Sequence, residues 1–250
     1  MHNNGLQNEL DIVEVLNGKR FIELPEFWKG KMRQLYKVIE DNDLIECYKC
    51  VYNKKADISI KVGIRKWSIS IKSGYFVSAH MERISSFSGY LRSLGIEEKH
   101  IETLKLYHYG DGTLDGTGSE RKSSTELKEE LKDRIEAFNE AVNQEDIIRK
   151  TVLRFICCGT PYQRSYVTHL YWGTKDRGDL IDIKTMVDYI CSGYAFETNT
   201  IHFGPFIYCP GYRGLTDYDS TNVRRHYIDI KWPSLVRDIR DAKDWFFRGK

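Results

Sequence analysis

The chain has 250 residues, of which 30% are charged and 13% aromatic, and its formal net charge is +2 at pH 7. A chain of this length and composition can bury a full hydrophobic core, which excludes a disordered or low-complexity protein. The nearly neutral charge neither indicates nor excludes a nucleic-acid partner, because the rest of the surface can balance a basic cleft.

No apolar run approaches membrane-spanning length, and the first residues lack the basic and apolar regions of a signal peptide. The sequence therefore predicts a cytoplasmic protein with no membrane partner. Its six cysteines are then expected to be reduced thiols. Cys47 and Cys50 form a C-x-x-C pair, but no second pair or paired histidines follow at finger-like spacing. The pair is therefore interpreted as part of a strand rather than as a zinc site.

The first predicted helix runs from about Gly5 to Leu16 and ends near Gly18. At 100° per residue its apolar side chains form one sector, and Glu9 falls inside that sector. A carboxylate on a core-facing stripe needs a partner such as a cation, a metal or hydrogen-bond donors. The alternative is that Glu9 lies at the edge of the core and extends to water.

A helix over about 28–42 and a strand over about 45–52 precede the most suggestive feature, a pair of alternating runs at 57–62 and 67–72. Period-two alternation predicts a hairpin with one apolar and one polar face. A turn centred between residues 64 and 65 predicts three pairs on the polar face: Asp57 with Lys72, Ser59 with Ser70, and Lys61 with Ser68.

The predicted pairing of Asp57 with Lys72 has two interpretations. It is an ordinary cross-strand ion pair, as is common on hairpins. Alternatively, the carboxylate holds a divalent cation while the lysine orients the attacking water or steadies phosphate charge in phosphodiester hydrolysis.

The remaining predicted elements follow from periodicity, capping residues and turn residues. In chain order they are a strand or loop over 73–80, a helix over 82–94, a loop over 111–118, a helical stretch from Ser123 to about Cys157 with a break near Asn143, strands over 166–172, 201–208 and 227–232, and helices over 183–191 and after Pro233. Ser123 and Glu126 form a capping box. The glycine-rich loop over 111–118 is interpreted as mobile or as a DNA contact rather than as a metal site.

Residues 210–226 combine glycine, hydroxyl, aromatic and arginine side chains. Such a segment suits a loop that enters a DNA groove, where arginine reads guanine and hydroxyl groups contact phosphate. The alternative is a polar hairpin connection with incidental arginines. The predicted DNA contacts are Arg213, Arg224, Arg225 and, in the following strand, Lys231.

Three short motifs together resemble the PD-(D/E)xK nuclease superfamily, and within it small Type II restriction endonucleases. They are Gln7-Asn8-Glu9 on the first helix, Ala56-Asp57-Ile58 on a strand, and Ile69-Ser70-Ile71-Lys72 on the paired strand. A late strand pair, 201–204 and 227–233, is similar to that of the family. The catalytic match covers roughly the first 95 residues, and its order and spacing are more specific than any single motif.

The resemblance implies an α/β fold with a mixed central β-sheet flanked by helices, followed by a C-terminal α+β extension that carries DNA-contacting strands and loops. It also implies site-specific cleavage of double-stranded DNA that depends on Mg²⁺, with Mn²⁺ as a substitute. By position, Asp57 would bind the metal, Lys72 would act on the nucleophilic water, and Glu9 would approach the metal through water.

Ser70 departs from the family pattern, which usually has Asp or Glu at this position. Three possibilities follow: a single-metal site that uses Glu9 and the Ile71 carbonyl, recruitment of Glu82, or a silent nuclease fold that binds DNA without cutting it. A nuclease for structured or single-stranded DNA, as in repair, is a further alternative.

The expected organisation along the chain is a catalytic core over 1–110, a loop over 111–124, and a helical connection with a DNA-recognition part over 125–250, packed together as one domain. A homodimer would suit cleavage of both strands of a palindrome, although monomers acting in succession are equally compatible with these residues.

Overall fold

In a computed structural model, the chain is described over residues 4–51, 54–118, 120–161, 166–193, 199–211 and 222–248. It divides into two compact units that interleave along the sequence. The first unit comprises Met1–Val77, Leu153–Tyr189 and Leu235–Lys250, and the second comprises Ser78–Val152 and Ile190–Ser234. The division into 1–110, 111–124 and 125–250 expected from the sequence stays a prediction.

The helices and strands occur in groups along the chain rather than in regular alternation. In order, the helices are α1 (Asn4–Leu16), α2 (Glu26–Leu35), α3 (Ile84–Ser93), α4 (Glu98–Tyr109), α5 (Ser124–Glu130), α6 (Lys132–Val142), α7 (Glu145–Leu153), α8 (Ile183–Cys191) and α9 (Leu235–Arg248). The strands are β1 (Lys19–Arg20), β2 (Leu44–Lys49), β3 (Ile58–Val62), β4 (Arg65–Lys72), β5 (Val77–Arg83), β6 (His169–Gly173), β7 (Gly178–Asp182), β8 (His202–Phe203), β9 (Phe206–Pro210) and β10 (Tyr227–Trp232). Within the described ranges, no helix is both long and apolar enough to cross a membrane.

The first unit contains a mixed sheet with the strand order β1-β2-β3-β4-β6-β7. Strands β4 and β6 are parallel, and the other neighbours are antiparallel. Apolar side chains of α1, α2 and the central strands form one buried cluster, which includes Ile12, Met32, Ile60 and Ile71. The apolar residues of the helices, which recur about every 3.6 positions, thus cover the apolar face of the sheet, whose residues alternate along each strand. The predicted fold class, a mixed central sheet flanked by helices, is confirmed.

The second unit contains a sheet with the strand order β5-β10-β9-β8. Several aromatic side chains pack together in its interior. Phe203 packs edge-on against Phe87 and Phe138, with ring centroids 5.4 and 6.0 Å apart, and Phe206 lies 4.6 Å from Trp232. These contacts join α3 and α6 to the sheet and give this unit its own core.

The capping box predicted at Ser123 and Glu126 is present at the start of α5, and the predicted break near Asn143 is present, since α6 ends at Val142 with Asn143 as its C-cap. Helix α2 is shorter than predicted. Its last residue is Leu35 because Tyr36 adopts an extended conformation, buries its ring and donates a hydrogen bond to the Ile60 carbonyl at 3.1 Å. Helix α4 and strand β7 were not predicted from the sequence.

The hairpin has the predicted faces but a different register. Val62 pairs with Arg65, so the turn consists of Gly63 and Ile64 rather than being centred on residues 64 and 65. Gly63 has a φ of 57°, a conformation that a tight hairpin turn requires and that glycine adopts without strain. Ser59 therefore pairs with Ser68, not with Ser70. The two-residue shift preserves the side-chain alternation but brings Asp57 beside Ser70 instead of Lys72.

Candidate active site

Asp57 immediately precedes β3 and is held by main-chain bonds on both sides. Its N–H donates to the Ile69 carbonyl, and its own carbonyl accepts from the Cys50 N–H, both at 2.9 Å. Its side-chain Oδ2 accepts the Ile71 N–H at 2.6 Å and the Ser70 hydroxyl at 3.0 Å. Within the described part of the chain Oδ1 accepts no hydrogen bond. The carboxylate is therefore fixed through one oxygen and free at the other.

This arrangement follows from the end of the strand pairing. The Ile69 carbonyl points toward β3, and residues two apart in a strand direct their main-chain groups to the same edge. The N–H and carbonyl of Ile71 thus also face this edge, beyond the first residue of β3. The Ile71 N–H lies beyond the last residue pair of β3 and β4, and it donates to the Asp57 carboxylate instead. The Ile71 carbonyl is expected on the same side.

Lys72 is the last residue of β4 and is half-buried. Its side chain shares a face with Ser70, which in turn contacts Asp57. Among the residues that the structure describes, Lys72 forms neither an ion pair nor a side-chain hydrogen bond. Its ammonium thus lies near a carboxylate but does not form the cross-strand ion pair with Asp57 that was one interpretation of the sequence.

Glu9 lies on the inner side of α1, and its side chain is only 15% exposed. Its carboxylate forms an ion pair with Lys49 of β2. Burial raises the pKa of Glu9 above its ordinary value; the hydrogen bond from Lys49 opposes this shift, the charge of Asp57 adds to it, and Lys72 counteracts it. Glu9 therefore lies within electrostatic range of both Asp57 and Lys72.

Two neighbouring residues position Glu9. Asn8 donates its side-chain N–H to the Gly173 carbonyl at 2.9 Å, which ties α1 to the end of β6 beside the register partner of Lys72, Trp172. Lys49 follows Ile45 and Cys47 at period two, so it lies on the side of β2 that α1 covers. Lys49 was not among the residues predicted for the site, although its alternation with Ile45 and Cys47 indicates that it faces α1.

Ser70 is buried, and its hydroxyl supports Asp57 at the position where the resembled family usually has an acid. Glu82, the other acidic residue considered for the site, is buried in the second unit. Its carboxylate is hydrogen-bonded to His80 at 2.9 Å and accepts the Ser86 hydroxyl at 2.7 Å. Among the described residues, no group of three or more His, Cys, Asp or Glu side chains could hold a metal. The candidate oxygen ligands for a metal at this site are the carboxylates of Asp57 and Glu9 and the main-chain carbonyl of Ile71.

Such a donor set fits Mg²⁺ chemically. Magnesium takes oxygen ligands and is usually held in proteins by one or two carboxylates, with waters and substrate phosphate completing its coordination. The unengaged Oδ1 of Asp57 is the oxygen best disposed to serve. Glu9 is already paired with Lys49, which favours an outer position for its carboxylate.

The predicted DNA-contacting residues fall into different environments. Arg213 lies outside the described residues. Arg224 is exposed, in a 3₁₀ turn that the Asn222 side chain caps. Lys231 is partly buried and pairs with Asp229 at 2.6 Å. Arg225 is buried, so its guanidinium is not presented to a DNA groove in this structure.

Arg225 instead anchors the loop that starts at Asp111. Its guanidinium donates to Asp111 Oδ2 at 3.1 Å, and the two side chains are 2% and 0% exposed. Asp111 also accepts the N–H and hydroxyl of Thr113 and the N–H of Gly118. The interpretation of 111–118 as a mobile loop is therefore corrected, because a buried charge pair and an Asx-type turn hold it.

Cys157 and Cys158 end a π-helical turn, Arg154–Cys158, and the six cysteines, all of which lie in the described ranges, form no disulfide bonds. A hydrogen bond from Cys157 lowers the pKa of Cys158 to about 7, and the charges of Lys55 and Arg154 act in the same direction. Burial raises the pKa of Cys50, a comparably half-buried thiol.

We expect Cys158 to be the faster of these two thiols to react with iodoacetamide at neutral pH, because the thiolate is the nucleophile. Its rate should rise through about pH 7 and then level off as the thiolate fraction saturates. Peptide mapping of labelled protein over a pH series measures this profile, with Cys158→Ser as the blank and Cys50 as the matched thiol. Equal rates at neutral pH for Cys50 and Cys158 would contradict the assignment.

No protein-family model matches the chain, and a search of curated proteins gives no match. Similarity over most of the chain is found to a solved structure. It is the crystal structure of the restriction endonuclease MspI in complex with its cognate DNA, with a TM-score of 0.44 and 14% identity over 82% of this chain and 76% of that chain. At this score the similarity carries no argument about the site.

Proposed function

We propose that the protein is a Mg²⁺-dependent, site-specific endonuclease of double-stranded DNA, related to Type II restriction enzymes of the PD-(D/E)xK superfamily. The observation that carries the proposal is the charge cluster at the end of β4. Asp57 has one oxygen fixed and one free, Lys72 has no partner among the described residues, and Glu9 interacts electrostatically with both. A carboxylate pair beside an ammonium is suited to phosphodiester hydrolysis.

Each residue of the cluster has a separate proposed role. Asp57, with its unengaged Oδ1, would hold the cation, Glu9 would serve as an outer carboxylate that acts through water, and the Ile71 carbonyl is expected at the same edge. Lys72 orients the attacking water and offsets negative charge as the phosphate is attacked. Bound Mg²⁺, or Mn²⁺ in its place, would polarise the phosphate and lower the pKa of a coordinated water. The Ser70 hydroxyl and Ile71 N–H hold Asp57 in position throughout.

Lys49 has a separate role in this proposal. It neutralises Glu9 while no cation is bound, so that α1 can keep a carboxylate on its inner side. A half-buried acid without such a partner would be costly to hold in its charged form. Lys49 is therefore a positioning residue.

Recognition of a DNA sequence is assigned to the C-terminal part of the chain. Arg224 is the exposed candidate for a base or phosphate contact, with Lys231 beside its Asp229 partner and Arg213 in the preceding segment. Arg225 supports this region through Asp111 rather than contacting DNA. A homodimer would let two copies cut both strands of a two-fold symmetric site, and the cytoplasm is the proposed setting.

Incubation with a sequenced supercoiled plasmid tests the proposal. Discrete linear fragments are expected with Mg²⁺ or Mn²⁺ and none with EDTA, and sequencing of the ends then gives the site and cut position. A preparation that leaves plasmids of varied sequence intact with both metals would overturn it.

Ser70 favours a second candidate, a nuclease fold that binds DNA without cutting it, because the site is one carboxylate short of the family pattern. This candidate predicts salt-dependent affinity for duplex DNA and no products with either metal. Branched and single-stranded substrates in the same assay detect the other alternative, a structure-specific repair nuclease. Cleavage of those substrates alone, with intact plasmids, would identify that activity.

A further inference from the structure

The loop that follows β4 presents two aromatic side chains to solvent. Tyr75 is 89% exposed and Phe76 is 59% exposed. Phe76 is also the one non-glycine residue with positive φ, 58°, in the described part of the chain. Exposed aromatic rings on a backbone of unfavourable conformation have no evident role in stabilising the fold.

The left-handed conformation has a cost for a residue with a Cβ, and such positions persist where the surrounding structure fixes them. Here the loop is held on both sides of the pair. The Trp172 indole N–H donates to the Gly74 carbonyl at 3.1 Å, and Val77 is buried. The loop is therefore anchored while both rings stay exposed.

The same anchor joins the loop to the candidate active site. Trp172 is the register partner of Lys72 on the neighbouring strand, and Tyr75 is three residues beyond Lys72 in the chain. The aromatic pair thus flanks the end of β4, where Asp57 and Lys72 come together. A polynucleotide whose phosphate lay at Asp57 and Lys72 would therefore pass the end of β4, from which this aromatic loop continues.

We propose that Tyr75 and Phe76 contact the bases of the bound DNA next to the scissile phosphate, by stacking or by insertion at a base step. This inference rests on the proposed function. Aromatic side chains stack on bases of any sequence because every base has a π-face, and apolar wedges can unstack a duplex step. Two side chains offer too little area for a stable protein interface, which favours a nucleobase as the occupant.

The test uses a duplex that carries the mapped cleavage site, with the fluorescent base 2-aminopurine beside the scissile phosphate, in EDTA so that no cleavage occurs. Stacking changes 2-aminopurine fluorescence when wild-type protein binds. We expect Tyr75→Ala and Phe76→Ala to reduce this change and to weaken binding about tenfold each, while Phe76→Trp keeps both. Ile64→Ala is the matched control, since Ile64 is an apolar residue, 99% exposed, at the opposite end of the same hairpin.

A second pair of variants separates binding from folding. Phe76→Gly and Phe76→Ala both remove the ring, but only glycine relieves the left-handed backbone, so the glycine variant should have the higher melting temperature. If stacking is the role, both weaken DNA binding equally despite this difference. Loss of binding that follows melting temperature instead would overturn the inference.

The remaining outcomes distinguish this inference from the proposed function. If wild-type protein cuts DNA while the Tyr75 and Phe76 alanine variants bind and report fluorescence as wild type does, the inference fails and the proposed function stands. If wild-type protein neither binds duplexes at low salt nor cuts plasmid, both fail. If the aromatic pair served a protein partner, the alanine variants would bind DNA normally, which again overturns the inference.

Discussion

Asp57→Asn and Lys72→Met should each reduce the rate of DNA cleavage by about 1000-fold or more, or ~4 kcal/mol of transition-state stabilisation. Asparagine retains an oxygen that accepts from Ser70 and Ile71 but loses the charge that a cation requires. Methionine retains much of the apolar stem of Lys72 but no ammonium. Single-turnover cleavage of a short duplex at saturating enzyme measures the chemical step, and chemical denaturation verifies that each variant is folded.

Glu46 and Lys61 provide matched controls on the same sheet. They form a cross-strand ion pair at 2.8 Å, and Lys61 is half-buried as Lys72 is. Glu46→Gln and Lys61→Met therefore remove the same charges without touching the cluster, and cleavage should proceed at close to the wild-type rate. Wild-type cleavage by either Asp57→Asn or Lys72→Met would mean that the reacting phosphate binds elsewhere.

Metal binding gives a readout independent of cleavage. Asp57→Asn should weaken Mn²⁺ binding measured by electron paramagnetic resonance, since it removes the carboxylate with the unengaged oxygen. Lys72→Met should leave Mn²⁺ affinity unchanged or slightly stronger, because it removes a positive charge near the site. This opposite response separates a metal ligand from a residue that acts on water.

The features predicted well from the sequence depend on neighbouring residues. The capping box at Ser123 and Glu126, the helix break near Asn143 and the extent of α8 follow from hydrogen bonds and periodicity within a few positions. The alternation of β3 and β4 likewise placed Asp57, Ser70 and Lys72 on one face. The inner position of Glu9 followed from the apolar sector of α1 in the same way.

The features missed depend on contacts distant in sequence. The partner of Glu9 is Lys49, 40 residues away, and the partner of Arg225 is Asp111, 114 residues away. The hairpin register was set by the conformation that Gly63 allows, which alternation alone does not specify because a two-residue shift keeps every face. The arginine-rich segment looked like an exposed reading loop, yet only tertiary packing decides that Arg224 is exposed and Arg225 buried.

That burial leads to the second large effect. Arg225→Met should destabilise the protein by about 3–5 kcal/mol, because it leaves the Asp111 carboxylate buried without its cation. The Asp111 side chain is 0% exposed, and the loop is arranged around its carboxylate. Urea denaturation followed by fluorescence measures the loss.

The exposed pair of Arg92 and Glu98, 2.6 Å apart, is the matched control, and Arg92→Met should cost far less because water solvates the remaining carboxylate. The double variant Arg225→Met with Asp111→Asn should recover part of the loss, since no buried charge is left unpaired.

The Arg225→Met variant also tests how Arg225 serves DNA recognition. If it supports the fold, DNA affinity of the Arg225→Met variant falls in proportion to the unfolded fraction. Wild-type stability combined with relaxed sequence preference would instead make Arg225 a direct base contact, which would require its pair with Asp111 to open when DNA binds.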